Sequence, residues 1–272
     1  MPGGRAVRHT ESVQATGLAA VLARADATPL PLLGGMARPD GVVIVSERYF
    51  AFAGRDGSLL EGDMPRMPRL FTRVPLLRGL ARLAMSFSPL MRRDVVAGQR
   101  EKVLLTAVLL SPLLFAFFSG TLTLVAGFLM TGAMLAWLLR GRTLFLHGAE
   151  HRAIAAAEQG NLSATWAGEA KPSRFSLRCG TNFVALVLPV GLIADRLWPF
   201  APALWTPILL AVLSLAVSME LWRAVQSSPH PAARFFLYPG LALQRLTTRE
   251  PSLDETRLAL TATGSVLRRE LG

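Results

Sequence analysis

The sequence predicts a mainly α, polytopic membrane protein with four transmembrane helices, an amphipathic helix and a small N-terminal cytoplasmic β-ribbon. Three observations carry that expectation. Hydrophobic residues make up 51% of the 272 and charged residues 17%, against ~25% charge in a soluble domain, so the chain has too little polar surface to cover itself in water. Val103 to Leu139 runs for 37 residues without one charged side chain. Basic residues flank the apolar runs on one side only, so the net charge of +11 reads as membrane-flanking charge and not as a nucleic-acid surface. A single cysteine, Cys179, excludes an internally bridged scaffold.

The elements follow in order. Residues 1–29 are rich in small side chains with no persistent period and read as a poorly ordered tail; the apolar stretch from Gly17 to Ala23 is too short for a signal-peptide core and ends at Arg24. Residues 30–73 read as a cytoplasmic β-ribbon. Val42 to Val45 and Tyr49 to Ala53 are candidate strands, and Asp56-Gly57 is a hairpin-type turn before Leu59. Over residues 74–98, Leu76, Leu80, Leu83 and Phe87 recur at helical spacing, with Arg78 and Arg82 four apart. That pattern fits an interfacial helix with its arginines at lipid headgroups, or an ordinary packed helix.

Residues 99–222 read as a four-span membrane domain. As one helix, the run from Val103 would reach ~55 Å, beyond a ~30 Å hydrocarbon core. Ser119-Gly120-Thr121 therefore splits it into spans near 103–119 and 121–139. Asp195-Arg196-Leu197-Trp198-Pro199 separates a third span near 182–198 from a fourth near 202–221, with Trp198 and Trp205 at the interface. Arginine and lysine cluster before span one, across 140–180 and after span four, whereas Arg196 stands alone on the other side, so both termini and the 140–180 segment are expected in the cytoplasm. Residues 223–272 form a cytoplasmic helical segment, with Ser252 and Glu255 at capping-box spacing and Arg268-Arg269 in the last turn.

The chemistry concentrates in His147-Gly148-Ala149-Glu150-His151. On a helix over 143–159, His147, Glu150 and His151 share one face. Two imidazoles four apart can offer nitrogens to one metal while Glu150 serves as general base, the inverted form of the H-E-x-x-H zinc spacing. The bland account is a polar cluster holding helices together. Cys179, just before span three, is a candidate thiolate ligand or inert packing. Asp40 is a further candidate ligand from the ribbon. Glu220, at the end of span four, is a functional candidate or a partner for Arg223. The sequence shows no phosphate-binding glycine loop, no G-x-S-x-G elbow and no aromatic-basic nucleic-acid surface.

Taken together, Gly34-Gly35, Val74-Pro75-Leu76-Leu77-Arg78-Gly79, the H-x-x-E-H segment, Arg178-Cys179-Gly180-Thr181 and Pro239-Gly240-Leu241-Ala242-Leu243-Gln244-Arg245-Leu246-Thr247-Thr248-Arg249-Glu250-Pro251 resemble the YqhQ-like family, domain of unknown function 1385, over roughly residues 32–268. The resemblance implies a polytopic protein of the bacterial inner membrane and a metal-dependent enzyme without an established substrate. Three positions depart from the family pattern. Met36 stands for a glutamine, Asp40 for a glutamate, and Ser176 for a histidine three residues before the cysteine. Loss of that imidazole implies a weaker site. Two readings follow: a metal-dependent, hydrolase-like enzyme at the cytoplasmic interface, using zinc or another divalent metal with His147, His151, Cys179 and Asp40 as ligands, or a non-catalytic scaffold with a degraded site. The lipid bilayer is the expected partner, with no nucleic acid. A transporter ranks third, because the spans carry charge only near their ends.

Overall fold

The computed structural model describes residues 7–9, 15–68, 71, 73–91, 141–200, 203, 205–228 and 230–272, with single positions at 103, 106, 125, 129 and 133. Its core is an antiparallel sheet built by period-two alternation. The strands are β1 (Val7–His9), β2 (Gly34–Arg38), β3 (Gly41–Val45), β4 (Tyr49–Gly54) and β5 (Leu59–Asp63), in the order β1-β5-β4-β3-β2. Val42, Ile44, Ala51, Ala53 and Leu59 point to one face, and Val43, Phe50, Phe52 and Leu60 to the other. Both faces are covered, so the expected ribbon is a full sheet. The β4–β5 turn uses Gly57 at φ 84°, a backbone conformation that L side chains rarely adopt, and Asp56 accepts from the Ser58 amide at 3.0 Å.

Two helices cover the first face, and a third packs on them. Helix α1 (Ala15–Asp26) places Leu18, Leu22 and Ala25 in the core. That corrects the expectation of a disordered tail. The three side chains recur at helical spacing, and the small residues between them let α1 approach another helix closely. The helices after the sheet are α2 (Leu77–Ser86), the one-turn α3 (Ser88–Met91), α4 (Thr143–Gln159), α5 (Leu162–Ala167), α6 (Gly180–Arg196), α7 (Thr206–Ser227), a 3₁₀ helix (Pro231–Leu237), α8 (Tyr238–Thr247) and α9 (Leu253–Leu271). Helix α4 lies on β2 and β3, and α9 on β3 and β4. The predicted capping box forms in both directions between Ser252 and Glu255. Helix α9 is central to the core: Leu260, Ala262, Val266 and Leu267 are fully buried. The 140–180 segment likewise belongs to this α/β core.

The membrane-like part is a hairpin. Helix α7, at 22 residues, is the one helix among those described that is long and apolar enough to cross a membrane. Helix α6 has 17 residues, the lower limit for a span, and exposes Val184, Leu188 and Leu192 along one stripe. The Asp195–Pro199 break falls where expected, with Trp198 stacked edge-on against Trp205 at 6.1 Å. Apart from single positions at 103, 106, 125, 129 and 133, the expected spans at 103–119 and 121–139, and residues 92–98 of the amphipathic segment, lie outside the described residues. Helix α2 packs on α7, with Gly79 so close to Met219 that a Cβ would sit 2.7 Å from that side chain's Cβ. Arg78 forks Glu220 at 2.8 and 2.5 Å, and Leu76 adopts φ 68° with its amide donating to the same carboxylate at 3.3 Å. Arg78 therefore serves a helix contact and not a headgroup, while Arg82 stays exposed.

If α1 is integral to the core, Leu22→Ala should cost ~2–5 kcal/mol, as for other fully buried leucines. Denaturant unfolding of the detergent-solubilised protein measures this. An unchanged midpoint would restore the disordered-tail reading.

Candidate metal centre

Helix α4 is cut to fit. Its inward positions are Leu146, Ala149, Ala153, Ile154, Ala156 and Ala157, mostly alanines that let the helix lie close on the sheet and α9. Gly148 has a separate reason: a Cβ there would stand 2.2 Å from the Arg249 carbonyl oxygen. That leaves room for residues 249–251 to cross the helix, where the Arg249 amide donates to the Leu144 carbonyl at 2.9 Å. Gly160 ends the helix at φ 66°, in the left-handed conformation glycine adopts without cost.

The predicted helix over 143–159 brings His147 and His151 together, rings 4.4 Å apart. His147 Nδ1 lies 2.8 Å from the Thr247 carbonyl oxygen, and His151 Nδ1 lies 2.7 Å from that of Arg174. A carbonyl only accepts, so each Nδ1 must carry the proton and donate it. Both Nε2 atoms are left with lone pairs. His147 Nε2 faces Cys179 Sγ at 3.3 Å. His151 Nε2 is buried with no hydrogen-bond partner among the described residues, a condition that costs ~1–3 kcal/mol unless something fills it. The ligand atoms of His147, His151 and Cys179 all lie within 4.8 Å of one another.

Cys179 is the N-cap of α6, where Sγ accepts from the Thr181 amide at 3.4 Å and its hydroxyl at 3.2 Å. Helix-end donors favour a thiolate. Burial, followed by the Glu150 charge, works against it and pushes the thiol up to about 11. Burial also lowers His147 and, with His147 beside it, brings His151 down to about 3. The trio is thus neutral when it binds nothing, with the thiol S–H donating to His147.

Glu150 lies beside this group. Its carboxylate has no donor within hydrogen-bond distance among the described residues, and Gly35 of β2 passes so close that a Cβ would meet Glu150 Cγ at 2.7 Å. Burial raises its pKa to about 8. Asp40 is not brought in: it sits at the β2–β3 turn, gripped by Arg38 at 2.8 Å and mostly exposed. A bidentate pair to a neighbouring arginine satisfies that carboxylate where it stands.

Several supporting residues carried no chemical signal of their own. Gln244, fully buried, accepts from the Ser176 amide at 2.9 Å and donates to the Ser176 carbonyl at 2.8 Å. Asn182 donates to the Ser176 carbonyl at 2.9 Å and packs against Gly240. Arg174 donates to the Thr248 carbonyl and hydroxyl at 2.8 Å. Glu250 pairs with Arg152 at 2.5 Å. For Gln244, Thr248 and Glu250 the trace in the sequence is the long motif ending at Pro251.

In metal-free protein Glu150 holds its proton between its ordinary 4.5 and about 8. The folded state then binds more protons than the unfolded one, so stability falls as pH rises through that window. Relative to the parent, Glu150→Gln should gain stability from pH 4.5 to about 8 and change no further above it, read as the difference in Tm at each pH. His151, whose lowered value gives the opposite slope below its ordinary 6.5, is common to both proteins and drops out of the difference. A Tm difference independent of pH would show that Glu150 is not held as a buried neutral acid.

The profile described as "Protein of unknown function (DUF1385)" matches residues 103–269. The "Uncharacterized protein YqhQ" of Bacillus subtilis (strain 168) is 29% identical over 299 aligned residues, covering 88% of this chain and 93% of that protein. No solved structure matches the chain. The motifs that converge on the imidazoles lie within the matched region or, like Gly35, pack against it, and the chain belongs to the DUF1385 family, alongside YqhQ.

Proposed function

We propose that this chain is an integral protein of the bacterial inner membrane with a metal-dependent, hydrolase-like site at the cytoplasmic interface. One observation carries the reading: the buried, unpartnered Nε2 of His151, aimed at the same space as His147 Nε2 and Cys179 Sγ. Two imidazoles and a thiolate, each imidazole oriented by a hydrogen bond from its other nitrogen, are a donor set suited to zinc. A divalent cation held there supplies a Lewis acid and acidifies coordinated water. Glu150 then acts as the general base. It lies outside the ligand trio but close enough for its charge to act on Cys179. Burial raises this carboxyl in the metal-free protein, and a cation beside it would favour the charged form, the form that takes a proton.

A second reading, a non-catalytic scaffold whose cluster locks the helices, is favoured by enclosure. Glu150 is 5% exposed and His151 1%, which leaves little open surface for a substrate. Metal analysis of gently purified protein separates the two. The enzyme reading expects near-stoichiometric zinc, lost in His147→Ala and His151→Ala and retained in Glu150→Gln, which leaves all three ligands. Ser176→His should tighten zinc binding. Metal-free protein whose alanine variants fold and accumulate normally would leave only the scaffold.

The membrane reading rests on the arginine asymmetry together with α6 and α7. Cysteines at Leu197 and Asp254, both exposed, test it. An impermeant maleimide applied to whole cells should reach 197 once the outer membrane is permeabilised, and 254 only after lysis. The reverse pattern would invert the topology, and labelling of both in intact cells would sink it.

A further inference from the structure

Beyond the ligand cluster, the largest unexplained feature is the outer side of the segment that follows α7. The 3₁₀ helix and α8 bury one stripe, Leu237, Gly240, Gln244 and Thr248, against the rest of the protein. The opposite side is apolar and bare. Phe235, Phe236 and Tyr238 are 68%, 59% and 60% exposed, and Leu246 is 63% exposed. The three rings stack edge-on at 6.3 and 6.0 Å, so they form one patch and not scattered exposures.

We propose that this patch is seated in the membrane surface, with its rings and leucines at the headgroup–acyl boundary and Arg245 and Arg249 among anionic headgroups. Three arguments fix the occupant as lipid. The patch continues the apolar surface of the candidate membrane hairpin: the 3₁₀ helix begins four residues after α7 ends and packs on both α6 and α7. From Ser228 to Arg249 the chain carries three arginines, Arg234, Arg245 and Arg249, and no aspartate or glutamate, a charge balance that anionic lipid complements. Aromatic rings with a tyrosine among them suit a boundary where one end is dry and the other wet.

The seat also reaches the ligand cluster. The buried stripe of α8 holds Ser176 through Gln244, and the last residue of α8, Thr247, receives the His147 Nδ1 proton. The surface helix is therefore the arm that positions one of the two imidazoles, and the bilayer is the base on which that arm rests. This inference rests on the proposed membrane integration, and the following test separates the two.

Nitroxide labels are placed one at a time at Phe236→Cys, Leu246→Cys, Val212→Cys on α7 and Asp254→Cys on α9, in the full chain reconstituted into nanodiscs of phosphatidylethanolamine and phosphatidylglycerol. Cys179 is buried, and the unlabelled parent serves as control. Labels at 236 and 246 should collide more with oxygen than with a water-soluble nickel chelate, at a depth of ~5–10 Å, shallower than 212, with 254 showing the reverse preference. Water-like values at 236 and 246 with a lipid-like 212 overturn the seat and leave the span intact. Labels at 236 and 246 shielded from both reagents show that protein covers the patch, which also overturns it. A water-like 212 removes the membrane reading itself and the seat with it. Unchanged depth in discs of neutral phosphatidylcholine overturns the choice of anionic headgroups.

Discussion

Two protons decide the arrangement. Each imidazole on α4 gives its Nδ1 proton to a backbone carbonyl, His147 to Thr247 and His151 to Arg174, and only then do both Nε2 lone pairs converge on Cys179. The two carbonyls come from segments more than seventy residues apart. Side-chain bonds between those segments hold them in register: Gln244 clamps Ser176 at both backbone atoms, Arg174 grips Thr248, and Glu250 reaches Arg152 and Arg174. A buried network with every member satisfied is rigid. Among the described residues around the trio, the exceptions are His151 Nε2 and the neighbouring Glu150 carboxyl.

The network also joins two kinds of structure. Helix α4 belongs to the sheet-based core, whereas Cys179 caps the first helix of the apolar hairpin. The trio is thus the point where the core meets the hairpin, and the Arg78–Glu220 pair holds α2 to α7 on the hairpin side. The Arg152–Glu250 pair is half open to solvent, with Arg152 buried and Glu250 exposed. It therefore fixes position more than it adds stability, since screening weakens an exposed partner and loss of it would strand a buried guanidinium.

Local patterns were legible and non-local ones were not. The helix over 143–159 could be read because its histidine spacing and terminal glycine are local signals, and the same holds for the strands around Asp56-Gly57 and for the capping box at Ser252. Helix α1 carries a local signal as well, Leu18, Leu22 and Ala25 at i, i+4 and i+7, but so short an apolar stripe gains its burial only against α9, where Gly264 leaves room for Leu18. The Arg78–Glu220 pair spans 142 residues, and no local period announces it. Asp40, the candidate ligand from the ribbon, is not brought to the trio, because the arginine two residues before it holds it in the turn. Thr247 and Arg174 act through backbone oxygens, which no side-chain type encodes.

That geometry gives the departures from the family pattern unequal weight. On β2, Gly35 faces Glu150 and is kept, and its missing side chain is what lets the carboxyl be buried so tightly. Met36, one residue on, points to the opposite face of the sheet and packs with Val43, Phe50 and Phe52, so a glutamine there would lie away from the ligands as well. Asp40 lies beyond the strand in the turn, paired with Arg38. Neither change touches the imidazoles. Ser176 is different, because its segment is clamped by Gln244 and Asn182 directly before Cys179. Those clamps use only its backbone, so exchanging its side chain leaves the bonds that orient His147 and His151 in place. The bonds that build the cluster therefore do not use the side chains of Met36, Asp40 or Ser176, whereas Gly35, Gly148, Gln244 and the two histidines hold it together.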